Sequence, residues 1–130
     1  MSRSQIFEHF YLVCRRPGMF VQSASFAAVC SYMHGFDTAL SGGALVGFRE
    51  WLLLRGSEWN NMPWWGIVRQ QVLGSFMPSD PIAPPEDERL RDELARLLEE
   101  FSKAQAAGLD SIFYQYGVWL LAQGRTFEDS

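Results

Sequence analysis

Residues 15–20 read Arg-Arg-Pro-Gly-Met-Phe, and this hexapeptide constrains the fold more than any other stretch because it interrupts a helical pattern at a defined point. Pro17 pushes Arg16 toward extended geometry and Gly18 is able to take a positive φ, so a helix arriving from the N-terminus must end here in a tight turn. Met19 and Phe20 are then expected to return to the core. Upstream, residues 4–15 place Ile6, Phe7, Phe10, Val13 and Cys14 on one stripe at helical spacing, with Gln5, Glu8, Arg15 and Arg16 off it.

Downstream the same reasoning gives further helices. Ser23 or Ser25 can cap a second one, whose buried stripe is Phe26, Val29, Cys30, Met33 and Leu40, with Phe36 at its edge and Gly42-Gly43 as its end. A third is expected over 44–55, with Leu45, Phe48, Trp51 and Leu52 inward, Arg49 and Arg55 outward, and Gly56 as its stop. After the polar loop Ser57-Glu58-Trp59-Asn60-Asn61, Pro63 opens a short helix running to Gly74. Residues 77–85 hold four of the six prolines and read as a Pro-rich connector that is neither helix nor central strand.

Glu86 to Ala107 is the clearest helix, with Leu90, Leu94, Leu97, Leu98, Phe101 and Ala104 on one stripe and three acids complementing its N-terminal dipole. Asp87 with Arg91, Asp92 with Arg96 and Glu99 with Lys103 are spaced to pair along it. Past Gly108, Asp110 or Ser111 can cap a last helix burying Leu109, Ile112, Phe113, Tyr116, Trp119 and Leu120, closed by Gly124, and residues 125–130 read as a frayed tail. No internal repeat appears, and a strand pair is conceivable only near 19–22. The expectation is an all-α, single-layered bundle of five to six helices spanning 1–130 as a single domain.

Composition excludes several functions. The chain has 130 residues, 48% of them hydrophobic and 15% aromatic, which is enough to build one core unaided. A net charge of −4 and a pI near 5.1 argue against a nucleic-acid partner, which needs a surplus of Lys and Arg. Cys14 and Cys30 lie in apolar helical patterns without CxxC spacing and read as buried free thiols, consistent with a reducing cytoplasm. No apolar run reaches the roughly 18 residues of a membrane span, and the N-terminus lacks the pattern of a signal peptide. His9 and His34 are the only histidines, and neither HExxH nor HxH occurs, so no metal is expected. There is no Gly-x-Ser-x-Gly elbow, and Gly42-Gly43-Ala-Leu-Val-Gly47 lacks the preceding strand and following Lys-Ser/Thr of a phosphate loop. Neither an enzyme nor a cofactor is expected.

The aromatic residues are more informative. Trp51, Trp119, Phe26, Phe48, Phe101 and Phe113 are accounted for as core by their spacing, whereas Trp59 lies in a polar loop and one of the adjacent Trp64 and Trp65 must face outward. Such a Trp near acids has the composition of an interface hot spot.

Taken together, Arg16-Pro17-Gly18-Met19-Phe20, Gly35-Phe36 nine residues after Phe26, and Gly47-Phe48-Arg49-Glu50-Trp51 resemble a group of small bacterial immunity-type proteins. In that group an Arg-Pro-x-Met-Tyr/Phe turn precedes a helix ending in Gly-Tyr/Phe and then a Phe-x-x-Trp helix. The Trp-rich segment 59–65 and the Leu/Phe helix from residue 86 extend the likeness over roughly three-quarters of the chain, although Phe20 stands where Tyr is more usual. Such proteins belong to polymorphic-toxin and contact-dependent inhibition systems, each blocking one cognate toxin. The resemblance therefore implies an inhibitor that occludes a toxin domain, the cysteine usage places it in the cytoplasm, and the acidic balance suits a basic nuclease. On this reading the binding edge comprises Glu58, Trp59, Trp64, Asp80, Glu86, Asp87 and Glu88. Two other readings are a homo-oligomeric structural or regulatory module of a defence system, and a small-molecule-binding bundle with a pocket near His34, Tyr32 or Tyr116.

Overall fold

The computed structural model describes residues 1–56, 59–74 and 81–129; Glu58, Asp80 and residues 77–80 of the expected connector lie outside them. Among the described residues there are five α-helices, two single 3₁₀ turns and no strand: α1 (Arg3–Arg15), α2 (Phe26–Ala39), α3 (Phe48–Arg55), α4 (Trp64–Leu73) and α5 (Pro84–Ala122), with 3₁₀ turns at Pro17–Met19 and Phe127–Asp129. The all-α bundle read from the sequence is the observed fold, and α5 packs against each of the other four helices.

Helix α1 begins in a capping box, where the Ser2 hydroxyl accepts the Gln5 N–H and the Gln5 side chain accepts the Ser2 N–H. All five residues of its expected stripe, Ile6, Phe7, Phe10, Val13 and Cys14, are buried. The Arg-Pro-Gly turn forms where expected. Arg16 is non-helical (φ −132°, ψ 62°), Pro17 is buried, and its carbonyl accepts both the Phe20 and Val21 N–H groups. Two details differ from expectation: Gly18 has no positive φ, and Met19 is 63% exposed because the 3₁₀ turn points it away from the bundle. Only Phe20 returns, edge-on to His9 at 5.0 Å.

Ser25 caps α2 by accepting the Ala28 N–H. The helix stops at Ala39, earlier than the glycine pair, so Leu40 lies past its end and is exposed. Asp37 takes the stripe position instead. It is buried, and its carboxylate accepts the Ala44 N–H at 2.9 Å. Gln105 of α5 fixes the same loop from the opposite side, its amide donating to the Ala44 and Val46 carbonyls while Arg3 donates to its oxygen at 2.6 Å. Held in this way, residues 44–47 are a turn, and α3 begins only at Phe48. Gly47 carries a φ of +86°, and a Cβ there would stand 2.7 Å from Leu109 Cδ1, so the turn lies directly beneath the second half of α5.

Pro84 and Pro85 open α5 in its first turn, which shortens the expected connector at its C-terminal end. Gly108 (φ 158°, ψ 103°) breaks the helix into two limbs, 84–107 and 109–122, that correspond to the two helices read from the sequence. The first limb buries Leu90, Leu94, Leu97, Leu98 and Phe101; the second buries Ile112, Tyr116 and Leu120. Of the anticipated ion pairs only Glu99 with Lys103 forms as such, at 3.8 Å. Arg96 reaches Glu93 and Glu100, each at 2.6 Å, and its hydrogen bond holds the Glu93 carboxyl below the usual range. Arg55 of α3 joins Glu100 at 2.9 Å. The tail turns back rather than fraying through residue 129. Arg125 stacks 3.7 Å above the Trp59 ring, and Phe127 lies edge-on to Tyr116 at 5.8 Å.

Candidate partner-binding groove

Helices α2 and α4 diverge enough to leave an open groove of about 540 Å³ between them. Phe26 and Cys30 lie on its α2 side, Trp65 and Gly66 on its α4 side, and Met62 and Ile82 contribute from the segments flanking α4 and α5. Polar character comes from Ser31, His34 and Arg69. His34 is edge-on to Trp65 at 5.1 Å, so an exposed imidazole and a half-buried indole form a continuous aromatic wall. The volume and the apolar lining with a few polar groups fall within the range of small-molecule pockets in general.

The wall is built by local sequence. Pro63 is the N-cap of α4. Trp64 therefore starts the same face as Ile67 and Val68, three and four residues on, and all three are buried. Trp65, one position later, is rotated by about 100° and faces the groove. Two carbonyls, of Asn60 and Met62, accept hydrogen bonds from the Arg49 guanidinium at 2.7 and 2.8 Å, which fixes the segment entering α4. Arg49, expected to point outward, is instead half-buried in this role.

The expected binding edge is only partly assembled. Glu58 and Asp80 lie outside the described residues. Trp64 is 7% exposed and packs on Phe48 at 5.5 Å, so of the tryptophan pair it is Trp65 that faces out. Trp59 is half-buried beneath Arg125. Asp87 accepts the Phe26 N–H at 2.7 Å and thereby caps α2 from sixty-one residues away, which gives it a structural task. Glu86, in the first turn of α5, and Glu88, just beyond it, remain as exposed acids. Neither lines the groove: Glu88 lines a separate depression with Ser23, Ser25 and Asp87 beside the start of α2.

Of the three residues named for a small-molecule pocket, His34 alone lines this groove. Tyr32 bonds His9 Nε2 at 2.8 Å within a cluster completed by Phe20 and Phe36, and Tyr116 is buried in the core. Trp65, Met62 and Ile82 were missed by sequence reasoning. Trp65 was discoverable as the unused member of the tryptophan pair, whereas Met62 and Ile82 become neighbours only through tertiary packing.

Both cysteines are free and buried, as read from their stripes. Burial pushes the Cys14 thiol up to about 12, with the Arg91 and Arg15 charges opposing, and pushes Cys30 well above its ordinary value. Both stay protonated near neutrality and act as small apolar side chains. Among the described residues no three His, Cys, Asp or Glu side chains gather as a metal site, and no helix is long and apolar enough to cross a membrane. Comparisons of the chain with protein-family models, with curated proteins and with solved structures each find no match.

Proposed function

We propose that this chain is an immunity-type inhibitor, acting in the cytoplasm, that binds a cognate bacterial toxin domain and covers its active cleft. The observation that carries the reading is the open α2–α4 groove, whose aromatic wall of Trp65 and His34 suits an apolar anchor side chain from a protein partner. The sequence resemblance supplies the class of partner. Glu86 and Glu88, exposed near the start of a helix limb where acids outnumber bases seven to four between Glu86 and Lys103, would steer the approach of a basic partner. A nuclease toxin, which must itself attract phosphates, has that character. In this account the binding edge moves from Trp59 and Trp64 to Trp65, His34 and the two exposed acids.

An affinity pull-down of the tagged protein from its source lysate at moderate salt, read by mass spectrometry, tests the proposal. The expected result is one stoichiometric partner with a toxin-like domain, whose expression stops growth unless this chain is co-expressed. Recovery of the protein alone from cells in which that partner gene is expressed would contradict it.

A further inference from the structure

The second limb of α5 carries an unusual surface. Between Ser111 and Gly124 there is no charged residue, although the first limb of the same helix is dense in Glu, Asp and Arg. Exposed positions of a solvated helix normally carry such charges. Here Tyr114, Val118 and Leu121 are exposed by 75, 53 and 69%, and their i, i+4, i+7 spacing sets them in one line. Phe127, exposed by 58%, extends the line from the C-terminal 3₁₀ turn. It reaches the helix because residue 117 is glycine: a Cβ there would come within 3.0 Å of the Phe127 ring. Between Phe113, Gly117 and Phe127 the surface sinks into a depression of about 310 Å³ flanked by Val118 and Leu121.

We propose that this face is the interface of a homodimer, formed by antiparallel pairing of the second limb of α5 with the same limb of a second copy. Three observations favour a second copy over another partner. The face holds both projections and a depression, so a two-fold axis near Val118 sets Tyr114 of one copy opposite Leu121 of the other and is self-complementary. The helix face from Ser111 to Gly124 carries no charge, so pairing it with its own copy opposes no like charges along the helix although each chain has a net charge of −4. These four residues, each more than half exposed, form a patch on the order of the few hundred Å² of an interface core, and flanking exposed Gln115, Thr126 and Ala122 extend it toward the roughly 800 Å² per partner of a stable dimer. The depletion of charge and the presence of Tyr and Phe match the centre of such interfaces. The groove between α2 and α4 plays no part in this pairing, so the dimer stands or falls independently of the toxin-binding proposal.

Sedimentation velocity of the purified full chain across a concentration series tests it. The expected mass rises from one chain to two, whereas Val118→Glu stays at one chain at every concentration and Met19→Glu, an exposed change in the turn after α1, follows the wild type. Circular dichroism checks that each variant is folded, with Tyr114→Lys as the replacement should Val118→Glu not fold. A wild-type chain that remains single throughout, or a folded Val118→Glu or Tyr114→Lys that dimerises as the wild type does, would overturn the proposal.

Discussion

Gly47 carries a constraint that Gly18 lacks, although both glycines punctuate helices. Gly47 sits at φ +86° under Leu109, so Gly47→Ala should lower stability by about 1–2 kcal/mol, mainly from the backbone conformation since the Leu109 tip can move. Gly18 has a non-positive φ and open space where a Cβ would be, so Gly18→Ala should change stability by no more than about 0.5 kcal/mol in urea titrations. The opposite ranking would mean that the Arg-Pro-Gly turn, rather than the 44–47 turn, holds the strained backbone. The thiols give a second residue-scale prediction. Their folded-state pKa values lie above the ordinary value of about 9, so the unfolded chain loses these protons first. Their stabilisation is complete below pH 9 and, for Cys14, is lost as pH rises through about 12. Melting temperature should therefore decline above pH 9, and Cys14→Ala should flatten that slope whatever its effect on the plateau. An unaltered slope would remove Cys14 as its source. Burial of Cys14 and Cys30 was legible from the apolar stripe. The tasks of Asp37, Gln105 and Asp87 were not, because their partners lie seven, about sixty and sixty-one residues away and only the folded chain brings them together.

At the scale of elements, α2 depends on a cap that α5 supplies. Asp87→Ala leaves the Phe26 N–H without its acceptor and should cost about 1 kcal/mol of stability, while Glu88→Ala, one residue on and exposed, should stay within about 0.5 kcal/mol. Equal effects in thermal unfolding would show that Asp87 is only another surface acid. The helices themselves were legible because apolar periodicity and the Pro and Gly stops agree along most of the chain: α1 matches its expected stripe residue for residue, and Gly108 divides α5 where a stop was read. Boundaries failed where a tertiary bond overrode local pattern. The 44–47 segment has helical residues but is held as a turn by Asp37 and Gln105, and Pro84-Pro85 read as a breaker yet serve as a helix start. The tail looked frayed because its anchors, Trp59, Tyr116 and Gly117, are distant in sequence or on the helix face it turns back upon.

For the molecule as a whole, α5 is the organising element and its two limbs present different chemistry: a charged, predominantly acidic first limb, and a second limb that carries no charge beyond Asp110 and has an apolar face. The groove was only partly foreseeable. His34 and the outward tryptophan were visible as types, but a cleft exists only once α2, α4 and the segment containing Ile82 are assembled. On the proposed function, this groove is the toxin-binding surface. This is tested most directly by titration calorimetry of the isolated toxin domain against the wild type and Ala27→Arg, which introduces a large side chain at an exposed position of the groove without removing a core contact. Affinity is expected to fall by more than tenfold, about 1.4 kcal/mol, with the melting temperature unchanged. A folded Ala27→Arg protein that binds the toxin domain as tightly as the wild type would contradict it.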